Sequence, residues 1–336
     1  MDPLEKENRT LARQVVPMTH KRETEDAGSA AGFCAVVVTY HPDESVADNL
    51  RAMVRECGRV LVVDNGSGAD AGEMIGAISG MKMLALKENT GVAAALNRGA
   101  RWALDHGAKW MVTFDQDSRP QPGFTAALQA TYERNPDAAV IGSCIKEAAL
   151  GDDYRWLRPK RRWPGFFQRV GMSPREDLAD VTMVVTSGAL TNLDCWSRVG
   201  GFDEKLFIDF VDTDYCLRCR AAGWRIAVSA DARLEHHLGR RETRELAGMA
   251  FHPTNHPPLR HYYIARNRVA MIRRHGWREI HWLSFEGAAT GLWLFRVLAF
   301  ERQKITKLRA MVLGTWDGLL GRFGECPPAR RRSLEK

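Results

Sequence analysis

The chain has 336 residues, 45% of them hydrophobic and 26% charged. That composition excludes a disordered or fibrous protein and gives enough length for one large domain or two ordinary ones. The formal charge of +7 favours anionic partners such as nucleotides, nucleic acid or an acidic membrane face, without choosing among them.

Met1 to Ala31 is polar and aperiodic and lacks the apolar core of a secretory signal, so it reads as a disordered leader. Phe33 to Val38 is a continuous apolar run, the pattern of a strand buried on both faces. Asp43 and Glu44 open a helical pattern to about Glu56. Val60 to Val63 is a second buried strand, stopped by the turn cluster Asp64-Asn-Gly-Ser67. A short helix follows, then a strand over Met81 to Leu86. Asn89-Thr-Gly91 leads into an Ala-rich helix over Val92 to Asp105, and Lys109 to Phe114 is a fourth strand.

Strands alternating with helices predict a doubly wound, mainly parallel α/β sheet, Rossmann-like, in which ligands bind beyond the carboxyl ends of the strands. Tyr40, Asp64, Asn89 and Asp115 all fall at or just past such an end. Neither GxGxxG nor GxxxxGK[ST] occurs, so the usual dinucleotide and P-loop solutions are absent. Carboxylates at these positions suit a nucleotide-diphosphate site built without a glycine loop. Asp115 and Asp117, in Phe114-Asp-Gln-Asp-Ser118, admit two readings: turn residues that use their own side chains, or a hard-cation site.

A second acidic cluster, Asp209, Asp212 and Asp214, stands where a helix begins. Acids there complement the helix dipole, and a carboxylate near an acceptor hydroxyl also suits a general base. The seven cysteines are odd in number and scattered, a pattern of reducing compartments. Cys216 and Cys219 form a CxxC inside a helical pattern with no second pair, which points to core residues rather than zinc.

The stretches VVVTY (36–40), VVDNGS (62–67), ENTGVAAALNRG (88–99), FDQDS, TSGAL (186–190), GGFDEKLFIDFVDTDYCLR (200–218) and LEHHLG (234–239) occur in an order and spacing that resemble glycosyltransferase family 2. The resemblance covers roughly residues 33 to 275 and implies an inverting nucleotide-sugar transferase of the GT-A fold. It implies that Thr39, Tyr40 and Asp64 contact nucleobase and ribose, and that Asn89, Gly91 and Asn97 line the nucleotide-sugar pocket. Asp117 would bind Mg²⁺ or Mn²⁺, with Asp115 beside it on the donor, and His236 would lie near metal and diphosphate. Family members commonly carry Glu-Asp where this chain has Val211-Asp212, so the Glu is missing and Asp212 is the implied base. Together with HYYIARN (261–267), the variant motifs resemble the rhamnosyltransferase branch, which uses dTDP-L-rhamnose. In that segment Arg260, Tyr263 and Asn267 share one helical face, and Arg266 is of a type suited to phosphate.

Trp282 to Phe300 is interrupted by Glu286 and Arg296 and falls short of the ~20 mostly uncharged residues of a spanning helix. Its aromatic face and the following Arg302, Lys304, Lys307 and Arg309 instead suit either a membrane interface or packing on the catalytic domain. Arg330-Arg-Arg332 adds a positive patch. Leu298 to Gly324 resembles the end of enzymes that add a second rhamnose to a mono-rhamnolipid. Arg155 to Phe167, basic with interleaved aromatics, reads as a solvated insertion or a loop over the acceptor entrance, with no nucleic-acid role.

The expected organisation is therefore a leader (1–31), a GT-A domain (32–275) and a C-terminal helical extension (276–336). The expected activity is transfer of rhamnose from dTDP-L-rhamnose to an amphiphilic glycolipid, in a cytoplasmic protein peripheral to the inner membrane. Alternatives are a polyprenyl-linked O-antigen or other polysaccharide acceptor, a UDP-sugar donor, and a non-catalytic sugar-nucleotide or lipid-binding relative.

Overall fold

The computed structural model describes residues 32–147, 155–160, 167–171, 176–236, 244–246, 249–251, 253 and 255–335. The expected leader lies outside the described residues. Four strands, β1 (Phe33–Thr39), β2 (Val60–Asp64), β3 (Met81–Ala85) and β4 (Trp110–Asp115), form the parallel half of an eight-stranded sheet. They alternate with helices α1 (Val46–Cys57), α2 (Ala69–Gly76) and α3 (Val92–Asp105). Because successive side chains of a strand point to opposite faces, β1 sends Cys34 and Val36 into one core and Phe33, Ala35 and Val37 into the other. Both faces are covered, which is why the strand reads as a continuous apolar run.

The remaining strands were not legible in the sequence. They are β5 (Ser118–Pro120), β6 (Ala138–Glu147), β9 (Ala189–Asn192) and β10 (Arg225–His236), completing the order β3-β2-β1-β4-β9-β6-β10-β5. Helix α4 (Phe124–Arg134) follows β5, and α5 (Leu193–Val199) and α6 (Val211–Ala221) separate β9 from β10. β9 runs antiparallel between β4 and β6, so the sheet is mixed beyond its parallel half.

One consequence positions the site. β4 ends at Asp115 and β5 begins at Ser118, on the far edge of the sheet. Three residues span at most about 11 Å, whereas four strand spacings amount to about 19 Å. The sheet must therefore curl. β10 supplies the bend through a register shift between Val228 and Arg233, after which Leu234–His236 pairs antiparallel with β5. This brings the end of β10 against the acidic turn.

A hairpin of β7 (Trp156–Pro159) and β8 (Phe167–Val170) occupies part of the basic-aromatic stretch. Trp156 and Leu157 are buried, so this segment is packed rather than a solvated insertion; residues 161–166 lie outside the described residues. A second small hairpin joins β11 (Arg244–Leu246) to β12 (Met249–Phe251). The chain closes with α7 (Pro258–His275), α8 (Ile280–Phe300), α9 (Lys304–Leu319) and α10 (Pro328–Leu334). α9 lies directly on α7, where a Cβ on Gly314 would stand 2.2 Å from the Tyr262 carbonyl oxygen. The helical extension thus packs on the last helix of the expected catalytic domain.

Candidate active site

The carboxyl rim of the parallel strands is tied together by its own side chains. Asp64 is buried at the end of β2; it accepts from the Thr39 hydroxyl at 3.1 Å, the Ser67 amide at 2.9 Å, and the Ser67 hydroxyl. Thr39 sits opposite it in register. Thr39 is fully buried and its hydroxyl is committed to Asp64, so in this structure it orients the acid. Tyr40, one residue on, is 41% exposed, its ring tilted against His41 with centroids 4.3 Å apart.

Asn65 donates to Asn89 Oδ1 at 3.0 Å, and the same oxygen accepts the Gly91 amide at 2.9 Å, closing the turn that starts α3. Gly91 has φ +86°, and a Cβ there would lie 2.7 Å from the Phe207 carbonyl oxygen. Val92 donates to that carbonyl at 2.7 Å, so the start of α3 is fastened to the loop before α6.

Asn97, expected to line the sugar-nucleotide pocket, borders a cavity with Arg101, Phe202 and Arg274 and is fully hydrogen-bonded. Its amide nitrogen donates to the Phe202 carbonyl at 2.9 Å and to Glu204 at 2.8 Å. Its oxygen accepts from the Phe202 amide at 2.9 Å and from Trp196 Nε1 at 3.2 Å. All of its donors and two lone pairs are consumed, so it bolts the GGFDE loop to α3. Arg266 is likewise turned inward: fully buried, it donates to the carbonyls of Gly324 at 2.6 Å and Leu206 at 3.0 Å instead of facing a phosphate.

The acidic turn leaves β4 at Asp115, whose amide donates to Ser187 Oγ at 3.1 Å; Ser187 in turn contacts Ser118 Oγ at 2.6 Å. Gln116, between the two acids, accepts from the Tyr40 amide at 2.8 Å and its carbonyl accepts from Asn49 at 3.0 Å. Gln116 and Ser187 are the supports that sequence reasoning missed, although both lie inside quoted motifs. His236 is the last residue of β10 and pairs through its backbone with Ser118. Its side chain, like residues 237–239 of the same motif, lies outside the described residues.

Asp212 stands in the first turn of α6. Burial pushes its carboxyl up to about 6, and the negative charges of Asp209 and Asp115 add to this against the bond from the Thr213 amide at 2.7 Å. The charge of Asp115, at the end of β4, is thus near enough to act on Asp212, at the start of α6. Their neighbours have different work. Asp209 pairs with Arg260 at 3.0 Å. Asp214, with no exposed surface, pairs with Arg218 at 2.7 Å, Arg274 at 2.6 Å and His275 at 2.9 Å. Burial raises Asp214, but His275, Arg218 and Arg274 outweigh it and hold the carboxyl at about 2.

Among the described residues no three His, Cys, Asp or Glu side chains cluster as a closed metal cage. Two carboxylates at the mouth of a cleft suit a different ion, an Mg²⁺-like cation that keeps waters and takes its remaining ligands from substrate phosphates. Asp115 and Asp117 fit that role, and the charge crowding felt by Asp212 is what such a cation would relieve. The CxxC cysteines are buried free thiols, with Cys195 Sγ 3.6 Å from Cys219 Sγ, as expected of core residues. On the C-terminal helix, Glu335 raises the Arg331 guanidinium through a hydrogen bond at 2.8 Å, and Tyr40 adds a smaller electrostatic contribution.

Residues 34–190 match the model of "Glycosyl transferase family 2". The dTDP-rhamnosyl transferase RfbF of Shigella flexneri is 29% identical over 297 residues, covering 86% of this chain and 96% of the relative. The galactofuranosyltransferase GlfT1 of Mycolicibacterium smegmatis is 26% identical over 267 residues, 75% of this chain and 87% of that one. Among solved structures, residues 1–349 of S. aureus TarS superpose with a TM-score of 0.53 at 14% identity, over 90% of this chain and 83% of that one. GalNAc-T7 with UDP, GalNAc and Mn²⁺ gives 0.51 at 13%, over 79% and 56%. These likenesses show the GT-A fold. With its motifs in order along the rim and its match to the family model over residues 34–190, the chain carries a glycosyltransferase family 2 domain and is a glycosyltransferase.

Proposed function

We propose that the protein is an inverting rhamnosyltransferase that moves L-rhamnose from dTDP-L-rhamnose to a hydroxyl of an amphiphilic glycolipid. The observation that carries the chemistry is Asp212 in the first turn of α6, its carboxyl raised to about 6 by burial and by the nearby charges of Asp209 and Asp115, a suitable value for a base working near neutrality. The donor rests on the RfbF relative, whose name states dTDP-rhamnosyl transfer. Asp212 takes the proton of the acceptor hydroxyl as that oxygen bonds to the anomeric carbon. The bond from that carbon to the diphosphate oxygen breaks on the opposite face, dTDP leaves, and the configuration inverts. Tyr40 meets the nucleobase while Thr39 holds Asp64 for the ribose. Asp115 and Asp117, together with His236, would hold Mg²⁺ or Mn²⁺, which would supply countercharge to the leaving diphosphate.

The amphiphilic acceptor is supported by the α8–α9 surface. Three acids lie between positions 280 and 322: Glu286, Glu301 and Asp317. All are buried, against Arg268, Lys307 and Arg330 respectively. Arg302, Lys304, Arg309 and Arg322, by contrast, are exposed, among Leu298, Ile305, Val312 and Trp316. A face that is apolar and only basic suits an anionic bilayer surface. α8 is also long and apolar enough, by length and composition, to cross a membrane; here its Glu286 is paired at 2.7 Å with Arg268 on α7. We place the protein peripherally on the cytoplasmic face of the inner membrane. Mono-rhamnolipid is the acceptor suggested by residues 298–324. A polyprenyl-linked O-antigen or other cell-surface polysaccharide is the alternative acceptor, and the RfbF likeness, which names the donor alone, does not separate the two.

The test is to incubate the purified protein with dTDP-L-rhamnose and Mg²⁺, and with either mono-rhamnolipid or a polyprenyl-linked glycan. dTDP release and product mass are followed together. A deoxyhexose gain that disappears with EDTA and with Asp212→Asn supports the reading. Donor binding should survive Asp212→Asn and fall with Asp117→Asn. Absence of both dTDP-rhamnose binding and turnover would refute the rhamnosyl assignment.

A further inference from the structure

The loop that delivers Asp212 is conformationally expensive. Phe207, Asp209 and Phe210 have φ values of +66°, +63° and +63°, and none is glycine. Each such residue is strained and persists only where its surroundings over-determine it. The helix gives no local help, since Phe210 makes no side-chain cap at the start of α6. The restraint comes from α7.

Asn267, buried with no exposed surface, directs its amide nitrogen at three carbonyl oxygens of this loop: Ile208 at 2.7 Å, Leu206 at 2.9 Å and Asp209 at 3.1 Å. Its own oxygen accepts from Arg266 Nε at 3.0 Å, which fixes which end of the amide faces the carbonyls. Arg266 Nη2 adds a bond to the Leu206 carbonyl at 3.0 Å. On the same face, Tyr263 stacks on Phe207 with ring centroids 5.2 Å apart, and Arg260 holds Asp209. The curl of a left-handed turn points successive carbonyls to its concave side, and a single planar donor of the right length gathers them. Aspartate there would present oxygen to oxygen.

We propose that Asn267 is a positioning residue for transfer: it clamps the carbonyls of residues 206, 208 and 209 and thereby holds the strained loop in the conformation that aims Asp212 into the cleft. The proposal rests on Asp212 being the base. It assigns the otherwise unexplained Arg-His-Tyr-Tyr-Ile-Ala-Arg-Asn segment to the support of that base, not to the donor phosphates.

The experiment measures kcat, KM, donor affinity by calorimetry, and thermal unfolding for Asn267→Ala, Asn267→Ser and Asp212→Asn. A misplacement of about 1 Å at a reacting group costs on the order of a hundredfold, so kcat should fall roughly 10- to 100-fold in Asn267→Ala. Donor Kd should stay within about twofold, because no donor-facing group is removed. A second change separates aim from general stability. Adding Asp209→Gly to Asn267→Ala puts a residue that adopts positive φ freely into the loop, and should restore kcat about tenfold over the single variant. If the added glycine instead lowers turnover and melting temperature together, Asn267 is only a packing residue and the proposal is overturned. Wild-type kcat in Asn267→Ala, with Asp212→Asn inactive, would overturn the clamp while leaving the base in place. Full turnover in Asp212→Asn would overturn the base itself, and that result needs no variant in α7. Should Asn267→Ala not fold, Asn267→Ser retains a short donor and carries the same comparison.

Discussion

Replacing Asp214 by Asn removes the charge on which two guanidinium groups and an imidazole converge without changing the shape of the side chain. The carboxylate is fully buried, with Arg274 at 2.6 Å, Arg218 at 2.7 Å and His275 at 2.9 Å. Lowering its pKa from 3.8 to about 2 corresponds to about 2.5 kcal/mol of folded-state stabilisation at neutral pH. Breaking a buried pair by removing one partner costs 3–5 kcal/mol in general. The side chains of Arg274 and Arg218 keep 41% and 21% of their surface exposed and can recover some hydration, so the low end, about 3 kcal/mol, is expected. The sign with pH is definite. A depressed carboxyl contributes stability above its unfolded pKa and loses it as pH falls towards the folded value, here from about 4 down to about 2. Urea unfolding of both proteins at pH 7 and pH 3 checks this. The wild type should exceed Asp214→Asn by about 3 kcal/mol at pH 7, and the gap should shrink by about 1 kcal/mol at pH 3. A gap equal at the two pH values, or below about 1 kcal/mol at pH 7, would refute the argument that this ion cluster fastens α6 to α7.

The Asp212 carboxyl, raised to about 6, must be ionised to act, so kcat/KM should rise with pH through that value; Asp209→Asn, which deletes a like charge, should move the limb to lower pH. A pH–rate profile that is flat across that range would remove Asp212 as the base. Gly91→Ala drives a Cβ to 2.7 Å from the Phe207 carbonyl oxygen at φ +86°, so a loss of roughly 1–3 kcal/mol in thermal unfolding and weaker donor binding by calorimetry are expected. Asn97→Leu, of similar size, strands Trp196 Nε1 and both backbone groups of Phe202; each stranded group costs roughly 1–3 kcal/mol, while kcat per folded molecule should hold. An intact melting temperature with a raised donor KM would return Asn97 to the binding pocket.

The parallel half of the sheet was readable from the chain alone because its signals are local. Buried β-branched runs make strands at 33–39 and 60–64, Asn89-Thr-Gly91 marks a helix start, and polar residues falling where apolar runs stop mark the rim. The family motifs, being short and contiguous, were equally legible, whereas the pairing of Asp209 with Arg260 and of Asp214 with Arg274 was not. What tertiary structure alone decided is everything that depends on a partner distant in sequence. β9 inserts antiparallel between β4 and β6, and β10 bends so that its end meets the acidic turn; both follow from curling the sheet, which no local pattern records. Asn97, Arg266 and Asn267 share the residue types of ligand-binding groups. Only the fold shows that their donors are spent on carbonyls 58 or more residues away, because a buried polar group must find its partner wherever the packed chain presents one.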